Sequence, residues 1–343
     1  MRVAVYDDPV FEEHDAGPGH PERPERLAAV RRGLRQGGLE REIVPSAPRP
    51  ATRDELVRVH TAAHVDRVAA ADGRRVRFDP DTAMGPRSYA AAVRAAGAVV
   101  DAVDRVLDGA LDRALCSVRP PGHHATPDRA MGFCLLNNVA VGAAAALARG
   151  LRRVAVIDFD VHHGNGTQEA FYRDPRVLFV SSHQFPFYPG TGDLDEVGEG
   201  DGRGFTVNLP MPAGLGDAEY RRAYREIVEP IGRAFDPELV LVSAGFDTHR
   251  DDPLGGMTMT PPGFAELTDV CLAVASGAAG GRLVAVLEGG YDPDGIAEST
   301  AAVVGRLLDR PAALSHAAAR PGLDRLLDAY RSVQAPFWPV VKP

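Results

Sequence analysis

The chain of 343 residues is 45% hydrophobic and 25% charged, ordinary for a soluble globular protein holding one large α/β domain or two small ones. Its formal charge of −9 and isoelectric point near 5.7 argue against nucleic acid as a partner, and its basic residues are almost all Arg. No apolar run nears the ~20 residues that cross a bilayer, which argues against a membrane partner.

In chain order, Met1 to Asp7 reads as a first strand, over Val3–Tyr6, rather than a signal peptide. His20-Pro21-Glu22-Arg23-Pro24-Glu25-Arg26-Leu27 leads into a helix that ends near Gly37-Gly38, and Ala-rich helices are expected over 55–71 and 88–107. A short strand at 115–118 runs into Arg119-Pro120-Pro121-Gly122-His123-His124, and a helix follows over 138–147. The run Val154-Ala155-Val156-Ile157-Asp158-Phe159 reads as a strand buried on both faces. Further strands are expected over 177–181, 205–209, 239–244 and 283–287, and further helices over 167–172, 218–235, 262–275, 294–308 and 323–333. Strands that alternate with helices imply parallel βαβ units. The expected fold is α/β with three layers, α/β/α, around a mostly parallel sheet. One domain over residues 1–343 is the simplest organisation, with about 311–343 as a helical extension and tail. Three cysteines without a Cys-x-x-Cys pair fit a cytoplasmic location and no disulfide frame.

Four places carry chemistry, each just after an expected strand. In Asp158-Phe159-Asp160-Val161-His162 three polar residues fall at every second position, which in an extended chain sends all three to one side. Two carboxylates and an imidazole at a buried strand end are costly unless they hold a cation. His163 alternates to the other face, where a structural role is expected. The pair His123-His124 in a Pro/Gly loop suits proton transfer near neutral pH. Asp247, in Ser243-Ala244-Gly245-Phe246-Asp247, is a carboxylate that could complete a metal shell, and Gly289-Gly290 lets Tyr291 turn toward or away from a site. Shared placement at the carboxyl edge of one sheet joins the four. His60 and His64, four apart on an expected helix, lack the intervening Glu of a zinc motif. His14 and His20, in the loop before the first helix, either line the mouth of the site or are simply solvated. The sequence leaves open whether His249 and Arg250 face the entrance, and Cys134 is read as a packing thiol.

These motifs, in this order, resemble the zinc-dependent deacetylases of the arginase–deacetylase fold, and more specifically the bacterial relatives of class II histone deacetylases. Further matching pieces are Gly132-Phe133-Cys134-Leu135-Leu136-Asn137-Asn138, His163-Gly164-Asn165-Gly166-Thr167, Tyr188-Pro189-Gly190-Thr191-Gly192 and Asp252-Pro253-Leu254-Gly255. The resemblance implies that Asp160, His162 and Asp247 are ligands of one catalytic zinc ion. It implies that His124 is a general base with His123 beside it, that Asp158 and Asn165 orient these two histidines, and that Tyr291 donates to the developing oxyanion. Asn165 stands where class I enzymes have Asp, which makes His124 less basic. Gly132, Phe133, Tyr188, Leu254 and Gly289 fall at channel and substrate-binding positions. A structural potassium ion is implied at Asp158, Asp160, His162, Ser181 and Ser182, and a weaker second one at the carbonyls of Phe171, Asp174, Val177 and Phe205.

The implied reaction is removal of an acetyl or related acyl group from an amine. Leu254 replaces the acidic gatekeeper of a eukaryotic polyamine deacetylase, which favours acyl-lysine over an acetylated small amine. A binuclear manganese ureohydrolase needs Asp-x-Asp where this chain has Asp247-Thr248-His249. A non-catalytic acyl-lysine binding module would not need His124, Tyr291 and all three ligands.

Overall fold

In the computed structural model, which describes residues 1–342, ten strands form two sheets. They are β1 (Val3–Tyr6), β2 (Ile43–Ser46), β3 (Val76–Arg77), β4 (Ala83–Met84), β5 (Arg113–Cys116), β6 (Val154–Asp158), β7 (Val177–Gln184), β8 (Thr206–Met211), β9 (Leu239–Ala244) and β10 (Leu283–Leu287). Eight build one sheet in the order β2-β1-β5-β10-β9-β6-β7-β8, parallel at every pairing. Strands β3 and β4 make a small antiparallel hairpin of their own. The central strands are buried throughout and apolar except for Asp158 and Ser243 toward their carboxyl ends, as expected of strands covered on both faces. Helices Ser88–Leu107 and Asn138–Ala148 pack together on one face, and Glu25–Gln36, Pro261–Ala275 and Pro293–Leu307 pack together on the other. The three-layer α/β/α expectation is met.

Winding decides where a site can form. The chain runs outward through β6, β7 and β8, then returns to the other side of β6 for β9 and β10. Winding thus reverses between β6 and β9, and such a switch point leaves a crevice beyond the carboxyl ends of the strands. Asp160 and His162 follow β6, and Asp247 follows β9.

Several elements differ from the expected ones. The helix read over 55–71 is two, because Thr52 caps Arg53–Leu56 and Thr61 starts Ala62–Ala69 anew by accepting from the His64 N–H. The helix read over 218–235 widens to a π turn over Tyr224–Val228, where Pro230 cannot donate to Glu226 and its ring would crowd that carbonyl. Strand β2 and the β3–β4 hairpin were not expected. Pro45 interrupts β2, an edge strand, and the hairpin strands are two residues each. Helix Leu323–Gln334 matches its expected place, and 310–320 has no regular structure but is pinned by Arg221 to the Ser315 carbonyl (2.9 Å) and by Glu219 to the Arg320 N–H (2.6 Å). Among the described residues no helix is long and apolar enough to cross a membrane.

Candidate active site

The segment after β6 does not stay extended. The strand ends at Asp158, and from there each carboxylate turns the chain. Asp158 Oδ1 accepts from the Asp160 N–H (3.0 Å), and Asp160 Oδ1 from the His162 N–H (2.9 Å). The expectation that three side chains share one side by strand alternation therefore fails. Asp158 turns to His123 (Oδ2 to Nδ1, 2.9 Å), and Asp160 and His162 meet Asp247 instead. Ligand atoms of Asp160, His162 and Asp247 lie within 4.8 Å of one another. His162 Nδ1 is 3.1 Å from Asp160 Oδ1 and 3.2 Å from Asp247 Oδ2.

The donor set suits a divalent cation. Asp247 Oδ2 is buried without a hydrogen-bond partner. Burial and then the Asp160 charge push the Asp247 carboxyl up to about 7, a cost that a cation would remove. Burial alone would lower His162, but the hydrogen bond to Asp160 and the nearby charges of Asp160 and Asp247 lift it to about 9. Glycines make the cradle possible. A Cβ on Gly245 would stand 2.0 Å from Asp160 Oδ2, and one on Gly289 2.0 Å from Asp247 Oδ2. The Gly289 N–H donates to Asp160 Oδ2 (2.8 Å) and the Val161 N–H to Asp247 Oδ1 (2.8 Å).

Beside this cluster the loop after β5 carries two unlike imidazoles, with ring centroids 4.0 Å apart. For His123 burial is outweighed by Asp160 and Asp158, which lift it to about 10. Burial and then the charges of His123 and His162 hold His124 well below its ordinary range. His124 Nδ1 donates to Asn165 Oδ1 (2.7 Å), so this neutral ring keeps the Nε2 lone pair free. Gly132, at φ +57°, lets the His124 ring lie close, since a Cβ there would meet its Cδ2 at 2.4 Å. Phe133 also holds a positive φ, of 69°, a conformation a bulky residue keeps only under constraint.

A cavity of about 240 Å³ leads to the cluster. His123, His124, His162 and Gly289 are at its inner end, with Phe133, Phe187, Tyr188, Leu254 and Tyr291 in its walls and Asp81 in its lining. Phe187 stacks on His162 with centroids 5.3 Å apart, and Tyr188 meets His124 edge-on at 5.1 Å. Burial raises the Tyr291 phenol well above its usual value, which keeps it a proton donor.

Sequence reading missed the layer behind these groups. Glu288 is fully buried, and its Oε2 accepts from the Gly122 (2.6 Å) and His123 (3.1 Å) N–H groups. Glu22 is buried between Arg26 (3.0 Å), Arg119 and His14 (3.2 Å), and Arg26 also donates to the carbonyls of Gly290 (2.6 Å) and Glu288. Arg26 lies 5.0 Å from the centre of the Tyr291 ring. A Glu between strand and glycines, and an Arg that follows Glu22 at i+4, were the available signals. Phe187 was missed beside Tyr188.

His14 belongs to this inner layer, bonded to Ser88 Oγ (2.7 Å), and not to the mouth. His20 is at the mouth, edge-on to Phe133 at 4.5 Å. His249 is buried and Arg250 exposed. His60 precedes its helix and spends both nitrogens on backbone, at Thr126 O (3.0 Å) and the Asn137 N–H (2.9 Å), while His163 bonds Thr191 (2.8 Å) and Gln168 (3.0 Å). Cys134 is buried, its thiol raised by burial. Ser182 Oγ is 3.4 Å from the Asp158 carbonyl and 2.9 Å from the Tyr224 hydroxyl, and Ser181 Oγ is 3.0 Å from His183 Nδ1. Phe171, Asp174 and Phe205 carbonyls accept backbone hydrogen bonds.

Residues 20–307 match the family model of the histone deacetylase domain. The chain belongs to the histone deacetylase family. It is 43% identical over 284 residues to a probable deacetylase of Archaeoglobus fulgidus, which covers 82% of this chain and 79% of that one. It is 43% identical over 334 residues to the polyamine deacetylase HDAC10 of Homo sapiens, covering 92% of this chain but only 49% of that protein. The crystal structure of the HDA15 HD domain superposes with a TM-score of 0.91 at 40% identity, covering 99% of this chain and 96% of that one. The fold is thus the arginase–deacetylase fold of this family.

Proposed function

We propose that the protein is a zinc-dependent amidohydrolase that removes acetyl or related acyl groups from acylated lysine. One observation carries this reading: Asp160, His162 and Asp247 converge at the inner end of an aromatic-walled cavity that also presents His124 and Tyr291. Zinc held by those three would supply a Lewis acid for the amide carbonyl and lower the pKa of water. The chain's own groups account for the rest. Neutral His124 takes the proton from the attacking water at Nε2 and returns it to the leaving amine. His123, charged and paired with Asp158, stabilises negative charge that develops nearby, and the Tyr291 phenol donates to the oxyanion. Phe133, Phe187 and Tyr188 exclude water from an extended alkyl chain. Leu254 offers no carboxylate to a second ammonium, which supports acyl-lysine over an acetylated polyamine. A potassium ion held by Asp158, Asp160, His162, Ser181 and Ser182 belongs to the same proposal, supported by how near Ser182 Oγ comes to the Asp158 carbonyl.

The test is hydrolysis of a fluorogenic acetyl-lysine amide, with zinc counted per chain. His124→Ala and Tyr291→Phe should lose roughly 10²–10³-fold in turnover yet hold one zinc ion, whereas Asp247→Ala should lose both. Full turnover by the Tyr291→Phe protein removes the phenol from the reaction, and bound zinc without any turnover in the native protein favours a binding module.

A further inference from the structure

Near the channel a second concavity of about 490 Å³ is lined by Arg67, Arg74, Arg77 and Arg129, with Phe78 and Ala130 among them. All four arginines are exposed. Most arginines of this chain sit against a carboxylate, as their neighbours Arg53, Arg75 and Arg87 do. Among the described residues these four have no carboxylate within 4.0 Å. Their bonds go to uncharged groups: Arg67 to His64 and the Asp128 carbonyl, Arg74 to the Ala70 carbonyl, Arg77 to the Pro80 carbonyl. Four like charges gathered in one hollow of a chain with net charge −9 repel one another unless an anion joins them.

The hollow and the channel share walls. Phe78 of the hollow and Asp81 of the channel are in one hairpin, and Ala130 of the hollow is two residues from Gly132 of the channel. The Phe133 N–H donates to Thr82 Oγ1 (3.0 Å) and ties the hairpin to that loop. The hairpin turn carries two acids, neither of which lines the hollow: Asp79 Oδ1 is occupied by the N–H groups of Asp81 (3.0 Å) and Thr82 (2.6 Å), and Asp81 lines the channel instead.

We infer that the arginine-lined hollow receives the polypeptide flanking the acylated residue, and that this flank carries carboxylates: the substrate class is acyl-lysine within an acidic peptide segment. This rests on the deacylase reading of the channel. A side chain inserted down the channel leaves its backbone across the mouth, so residues a few positions along reach the hollow. Its volume exceeds what one inorganic anion fills, and guanidinium groups set among Phe78 and Ala130 suit carboxylates on a chain with apolar neighbours. A basic histone-like tail would meet four like charges here.

The experiment compares kcat/KM for matched acetyl-lysine peptides carrying Glu, Gln or Lys at the flanking positions, each referred to the minimal acetyl-lysine amide in the same protein. The zinc-loaded enzyme should prefer the Glu peptide over the Gln peptide by about tenfold at low salt, and the preference should shrink as salt rises. Arg74→Glu combined with Arg77→Glu should reverse the order, and Arg77→Ala should reduce it. Equal rates for Glu and Gln peptides, or a preference untouched by these substitutions, overturn the inference. If even the minimal amide is not hydrolysed, the deacylase reading is what has failed. Fluorescence anisotropy with the same labelled peptides then decides the hollow separately, equal binding of Glu and Gln peptides overturning it. Inorganic phosphate that competes equally with all three peptides would mark a small-anion site and also overturn it.

Discussion

Gly289 shows how little room the site leaves at the scale of one residue. Its backbone N–H holds Asp160, and its missing side chain leaves space for Asp247. Gly289→Ala should therefore weaken zinc binding by roughly 10- to 100-fold, as loss of support around a metal commonly does. Metal analysis after dialysis against a weak chelator reads this, and an unchanged far-ultraviolet spectrum shows the fold intact. Full zinc retention would mean that the cradle relaxes. The cluster was partly legible: two acids and a histidine at alternating positions after an apolar strand marked Asp160 and His162 as candidates. Asp247, a lone acid that a turn or cap would explain as well, was joined to them only by the family resemblance. Glu22, Glu288 and Arg26 were not legible, since a charged residue in a sequence looks solvated until its partners are known. Only the fold brings Arg119 and Glu22, 97 positions apart, into contact.

Elements were read well where apolar periodicity was long. The central strands and the helices over 88–107, 138–148 and 293–307 came out nearly in place, because burial on one or both faces writes itself into the pattern. Short and edge elements carry no such signal. How closely helices pack was also invisible. Gly33 meets helix Pro293–Leu307 so closely that a Cβ would stand 2.0 Å from the Ala297 carbonyl oxygen. Gly33→Ala gains up to ~1 kcal/mol of helix propensity but must push two backbones apart, and overpacking of this kind costs about 1–3 kcal/mol. The net effect should be destabilising, as a lower urea midpoint. Gly305→Ala on the partner helix has open space around its Cβ and should raise the midpoint. Similar shifts for the two would contradict close packing at Gly33.

For the molecule as a whole, buried neutral histidines set the acid limit of stability. His60 is lowered to about 4, mainly by burial, and its Nε2 accepts from a backbone N–H, so the folded state disfavours protonation. The unfolded chain takes up that proton near 6.5. Stability should thus be complete above about pH 6.5 and fall as pH drops toward 4, by roughly 3 kcal/mol from this residue alone. Urea unfolding at pH 7.5, 6 and 5 tests this, and His60→Gln, weaker at neutral pH, should show a shallower fall. A fall equally steep in that variant would assign the acid sensitivity elsewhere. The sheet's two outermost strands each contain a proline, Pro45 in β2 and Pro210 in β8. The carbonyl of Pro210 is taken by the Tyr330 hydroxyl (2.9 Å), and the Trp338 indole donates to the Gly204 carbonyl (2.8 Å). A ladder rung is missing at each border, so neighbouring molecules find no continuous template on which to polymerise, and a crowded solution of this protein is guarded against fibre growth from either side.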